Sequence, residues 1–136
     1  MKNQRMLEEL LELMQIDVSS GQETELADCL VKKLEQMGFL ITRDEAGATF
    51  GGVCGNILAV REGEREGVVC FCSHMDRVPG GIGIRPVEDN GILRSSGDTI
   101  LAADDLSGVA AILERARQPL ESGKKLPKLE ILFTVG

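Results

Sequence analysis

The chain reads as an α/β fold, a central and mostly parallel sheet with helices on its faces, and three observations carry that reading. Helix-period and strand-like apolar segments alternate along the 136 residues. The apolar run Val68-Val69-Cys70-Phe71-Cys72-Ser73 leads into His74-Met75-Asp76, so the only histidine stands where a parallel strand would end in a site. Further on, Ala103-Asp104-Asp105 opens another apolar-periodic segment and brings two carboxylates to the start of a helix.

The elements follow in order. Met6, Leu7, Leu10, Leu11 and Met14 recur at helical spacing, with Glu8, Glu9 and Glu12 opposite, and predict a first helix with a solvated acidic face. Ser20 and Glu23 have capping-box spacing, Leu26, Leu30, Leu34 and Met37 continue an apolar stripe, and Gly38 is a natural stop, which predicts a second helix. Extended apolar runs at 39–43, 57–60 and 68–72 predict strands. Residues 84–87 and 92–94 flank Asp89-Asn90-Gly91 and predict a hairpin. Leu106, Val109, Ala110 and Leu113 predict a third helix, and residues 128–135 a last buried strand. Between them, 118–127 holds Pro119, Gly123 and Pro127 and reads as a loop.

Two stretches read as connections. Residues 47–55 are glycine-rich without G-x-G-x-x-G order, which argues for a flexible turn and against a nucleotide loop. Residues 61–67 alternate charge between two strands and read as a solvated hairpin connection. The cysteines, at 29, 54, 70 and 72, are irregularly spaced and read as reduced thiols, with Cys70 and Cys72 in the core of a buried strand. Cys70, Cys72 and His74 share a strand face, but a metal is expected on carboxylates and His74 rather than on thiolates.

The chemistry of the two acidic elements follows from their spacing. Residues two apart on a strand share a face, so His74 and Asp76 can lie side by side, one as a metal ligand and the other holding it. A neutral imidazole suits zinc, and a carboxylate can bridge two cations. Each element also has a plain structural reading: a surface pair at a strand end for His74-Met75-Asp76, and helix capping for Asp104-Asp105.

The whole stretch weighs against the plain readings. Ser73-His74-Met75-Asp76-Arg77-Val78-Pro79-Gly80, Gly83-Ile84-Arg85-Pro86, Asn90-Gly91-Ile92, the run from Gly97 to Asp105, and Gly108-Val109-Ala110 resemble the peptidase T-like branch of the zinc aminoacylase, carboxypeptidase and peptidase T family. Ser20-Gly21-Gln22-Glu23, Gly38-Phe39 and Gly55-Asn56-Ile57 extend the resemblance towards the N-terminus. It implies a dizinc exopeptidase that cleaves short peptides with a free amino end, with His74 a ligand of one zinc. Asp76 would clamp the imidazole and support catalysis. Asp104 would bridge the two zincs, joined to Asp105 by a cis peptide. Arg77 stands where threonine is usual, and its charge beside the site bears on substrate preference; Ala102 stands where glycine is usual. The resemblance further implies that residues 1–136 are the N-terminal part of one catalytic domain. A Glu-Glu pair with the general base, further ligands and a dimerisation domain would follow Gly136. The chain alone is then expected to bind zinc weakly at most and to hydrolyse nothing.

Composition excludes some partners. A net charge of −7 gives no electrostatic footprint for nucleic acid or an anionic membrane. No apolar run approaches the ~20 residues of a membrane helix. The basic start, Met1-Lys2-Asn3-Gln4-Arg5, is followed by Glu8, Glu9 and Glu12 where a signal core would have to be apolar, so a cytoplasmic location is expected. The expected partner is a short peptide, and a homo-oligomer is compatible with the reading. Three alternatives stay open: a deacylase or carboxypeptidase of the same superfamily, a non-catalytic metal-binding or interaction module, and a receiver domain. For a receiver domain the acidic pair stands on the wrong side of the strand before Asp76.

Overall fold

A computed structural model describes residues 3–136; Met1 and Lys2, in the basic start, lie outside the described residues. The elements are α1 (Gln4–Met14), α2 (Thr24–Gln36), β1 (Leu40–Arg43), β2 (Ile57–Arg61), β3 (Val68–His74), β4 (Pro86–Asp89), β5 (Ile92–Ser95), α3 (Ala103–Ser122) and β6 (Lys128–Thr134). Four strands form one sheet in the order β1-β2-β6-β3, and β4-β5 stand apart as a two-stranded hairpin.

The fold is α/β, and the sheet is mixed rather than mostly parallel. β1 pairs with β2 and β2 with β6 antiparallel, and only β3 and β6 run parallel. The parallel pair is the one that needs a long crossover, and α3 supplies it between β3 and β6. Because β6 inserts between β2 and β3, the charged connection at 61–67 is solvated as expected but does not close a hairpin.

Alternation along the strands sets the core. Ile57 and Ala59 of β2 and Leu129, Ile131 and Phe133 of β6 are buried on one face, among Leu26, Leu30 and Leu34 of α2 and Val109 and Leu113 of α3. The other face is more open, with Leu58 exposed and Val60, Glu130 and Leu132 half-buried. Cys70 and Cys72 point that way from the edge strand β3 and are exposed free thiols, not core residues. The sequence shows their small apolar character but not that β3 lies at an edge. The last strand, β6, is central and paired on both sides.

Helix ends and burial depart from the pattern in instructive places. The α2 stop is as read: Gly38 takes φ +82°, and Gly38 N–H and Phe39 N–H donate to the carbonyls of Glu35 and Leu34. Its start is not a capping box, because the fully buried Glu23 carboxylate accepts from Gly21 N–H at 2.7 Å. Glu9 is buried instead of solvated, since Arg117 of α3 donates to both its oxygens. α3 runs through Pro119 to Ser122, where a loop was expected; proline at that point leaves only the last turn to be disturbed. The glycine-rich stretch forms a 3-10 turn at Ala46–Phe50, and a Cβ at Gly47 would collide with the Cys54 carbonyl, so it is packed rather than a loose turn.

Candidate active site

β3 delivers His74 to the carboxyl end of the parallel pair, and Met75 N–H extends the ladder by donating to Thr134 O at 2.8 Å. Met75 is buried, which turns its neighbours His74 and Asp76 outward together. His74 Nδ1 lies 3.2 Å from both the carboxylate Oδ1 and the backbone oxygen of Asp76. On the other side of the ring, Nε2 lies 3.1 Å from Asp104 Oδ1. The three residues named from the sequence therefore meet, and they line a cleft of about 310 Å³ with Val78, Ile100, Leu101, Ala102 and Ala103.

The acidic pair divides its labour. Asp104 and Asp105 have non-helical backbone angles, and the bond between them is cis. Asp105 Oδ1 accepts from Gly108 N–H at 3.2 Å, three residues on, which is how an N-cap side chain satisfies a free helix amide. Asp104 takes no part in capping, and its side chain is 95% exposed. Capping thus falls to Asp105, and Asp104 faces His74 instead. Ala102 sits just before them at φ +61°, a left-handed conformation in which the usual glycine would be unstrained.

The electrostatics favour a cation. Both nitrogens of His74 face oxygens, yet a neutral imidazole has only one N–H, so one nitrogen lone pair must face an oxygen lone pair unless a proton or a metal intervenes. Burial lowers the pKa of His74, but the hydrogen bond with Asp104 and the charge of Asp76 outweigh it, and the value lies above the ordinary one. Arg77 does not relieve this charge, contrary to the expectation that it stands beside the site. Its guanidinium is buried and donates to the carbonyls of Leu13, Ile16 and Gly81, at 2.9, 2.8 and 3.2 Å. It closes the C-terminal end of α1, where carbonyls lack helical partners.

The donor chemistry fits zinc in part. For ligand bonds of about 2.0–2.2 Å in a tetrahedral site, two donors lie roughly 3.4 Å apart, close to the 3.1 Å between Nε2 and Oδ1. Among the described residues no cluster of three or more His, Cys, Asp or Glu side chains completes such a site. The sequence reading missed Ser73, whose Oγ–H donates to Asp105 Oδ2 at 2.6 Å from beneath the site. Its only signal was its place beside His74.

Known proteins share this fold. No family model matches the chain. The aminopeptidase PepT of Bacillus cereus superposes with a TM-score of 0.94 at 34% identity, over 98% of this chain and 36% of that one. A tripeptidase from Staphylococcus aureus gives 0.93 at 33% identity with the same coverage. The chain is similar in fold and sequence to part of these two peptidases. The uncharacterized protein YqjE of Bacillus subtilis is 36% identical over 133 residues, 97% of this chain and 36% of that protein. The chain thus spans little more than a third of the length of the relatives it matches. Among the described residues no helix is long and apolar enough to cross a membrane.

Proposed function

We propose that this chain supplies one wall of a zinc site in a cytoplasmic exopeptidase acting on short peptides with a free amino end. The observation that carries the reading is the His74 ring held between Asp76 and Asp104 at the end of a parallel strand. The aminopeptidase and tripeptidase likenesses support the substrate class. His74 would offer Nε2 to zinc, Asp76 would fix the ring through Nδ1, and Asp104 would add a carboxylate ligand. A bound zinc ion supplies Lewis acidity and a hydrolytic nucleophile at neutral pH. The cleft walls, Val78, Ile100 and Leu101, offer an apolar surface for a peptide side chain beside the carboxylates.

The test is a zinc titration of the chain followed by NMR. Weak, saturable shifts at His74 and Asp104 are expected, abolished in His74→Ala and in Asp104→Ala. Asp76→Asn should retain binding with reduced affinity. A wild-type chain whose His74 resonances ignore millimolar zinc would sink the reading. With two metal donors and no general base assigned among the described residues, the chain alone should release no product from tripeptides above buffer, and metal-dependent turnover would show a complete site.

A further inference from the structure

We propose that Ser73 is a positioning residue, which holds Asp104 opposite His74 by anchoring the neighbouring Asp105. Two tethers join the end of β3 to the start of α3. The outer one is the contact between His74 Nε2 and Asp104 Oδ1, made by a carboxylate that is almost wholly exposed. The inner one is Ser73 Oγ–H donating to Asp105 Oδ2 at 2.6 Å, with a longer approach of 3.4 Å to the Asp105 backbone oxygen. The four residues form a closed ring: Ser73 is bonded to His74 and Asp105 to Asp104 through the chain, and the two side-chain contacts complete it. An exposed pair competes with water and holds its geometry poorly. A short hydrogen bond from a buried hydroxyl to a carboxylate is stronger and directional, and Ser73 is buried. The inner tether therefore sets where the outer one can form.

Gly108 belongs to the same device. Its N–H donates to Asp105 Oδ1, and a Cβ placed on it would lie 2.5–2.7 Å from the Asp105 carboxyl atoms. Glycine is thus required at 108 for Asp105 to be seated where Ser73 can reach it. Serine and glycine act on Asp104 only through Asp105.

The test uses the 136-residue chain and two readouts on His74. The first is its tautomer, read without metal from the two imidazole nitrogen shifts at a pH where the ring is neutral. Ser73→Ala should move the two shifts apart, because with Asp104 displaced only Asp76 still holds the ring and its proton settles on Nδ1, and Ser73→Thr, which keeps the hydroxyl, should restore the wild-type pattern. Gly108→Ala should reproduce the Ser73→Ala pattern by displacing Asp105, and it decides the matter if Ser73→Ala does not fold. The second readout rests on the zinc-site reading: Ser73→Ala should weaken zinc binding at His74 by about tenfold. Folded Ser73→Ala and Gly108→Ala chains with wild-type nitrogen shifts would overturn the positioning role. Failure of zinc to perturb the wild-type chain would instead overturn the metal reading, while the tautomer readout still decides this one.

Discussion

Two charged clusters in this molecule are built on opposite rules. Between α1 and α3, Glu9 and Glu114 are buried, and each is matched: Arg117 donates to both Glu9 oxygens and to Glu114, and Arg5 takes Glu114 in a two-pronged bond at 2.7 and 2.9 Å. Lys33 adds a third cation 3.5 Å from Glu9. At the end of β3, two carboxylates bracket one imidazole, and the nearest arginine in sequence, Arg77, is turned into the protein. Charge that is buried for architecture must be neutralised on the spot, because desolvation otherwise exceeds the Coulombic gain. Charge at the proposed site is left short of cations and near water.

The widest gap between the clusters should appear in stability. Glu9→Ala removes the buried carboxylate that Arg117 and Lys33 share, leaving Arg117 only Glu114, and should cost on the order of 3 kcal/mol, whereas Asp104→Ala, at an exposed position, should leave the urea midpoint nearly unchanged. Equal losses in the two variants would erase the distinction. Arg77→Met sharpens it from the other side: roughly 2 kcal/mol should be lost as the α1 carbonyls go unpaired, with zinc-induced shifts at His74 intact. A change in those shifts would return Arg77 to the site.

Acid should separate the clusters too. The hydrogen bond from Arg5 holds the Glu114 pKa below its ordinary value, against the opposing effect of burial. The folded chain therefore gives up that proton more readily than the unfolded chain. The resulting stability is complete above the ordinary carboxylate pKa and drains away as pH falls through the lower, folded value. Melting curves taken from neutral to about pH 3 should show a shallower acid decline in Arg5→Ala than in wild type; parallel declines would deny Glu114 this part.

The smallest effect concerns two alanines of one helix region. Ala110→Gly, inside α3, should cost about 1 kcal/mol. Ala102→Gly should cost much less, because relief of a left-handed alanine, about 1 kcal/mol, offsets the lost methyl burial. Equal unfolding free energies for the two variants would show that the conformation at 102 carries no strain.

What the sequence made legible was local or short in range. The stripe Leu26, Leu30, Leu34 with Gly38 behind it, the Asn90-Gly91 turn and the His74 and Asp104 pairing all rest on spacing within one element or on motifs in fixed order. What stayed hidden depended on partners far along the chain. Glu9 is buried only because Arg117 lies opposite, 108 residues away. Cys70 and Cys72 are exposed only because β6, the last strand, enters the middle of the sheet and leaves β3 at its rim. Arg77 looked like a site cation because it follows Asp76, and its direction was set by carbonyls of α1 more than sixty positions earlier.

The hairpin β4-β5 hangs on the excursion between Ser73 and Asp105 and shares no strand pairing with the main sheet. The ends of that excursion are pinned, so its length is nearly free to vary: even doubling a closed loop adds only about 0.6 kcal/mol of closure entropy. The exposed tip at Asn90-Gly91 is therefore the natural place to graft a peptide, tag or small domain. A guest there would extend from the hairpin without stretching the residues that form the cleft.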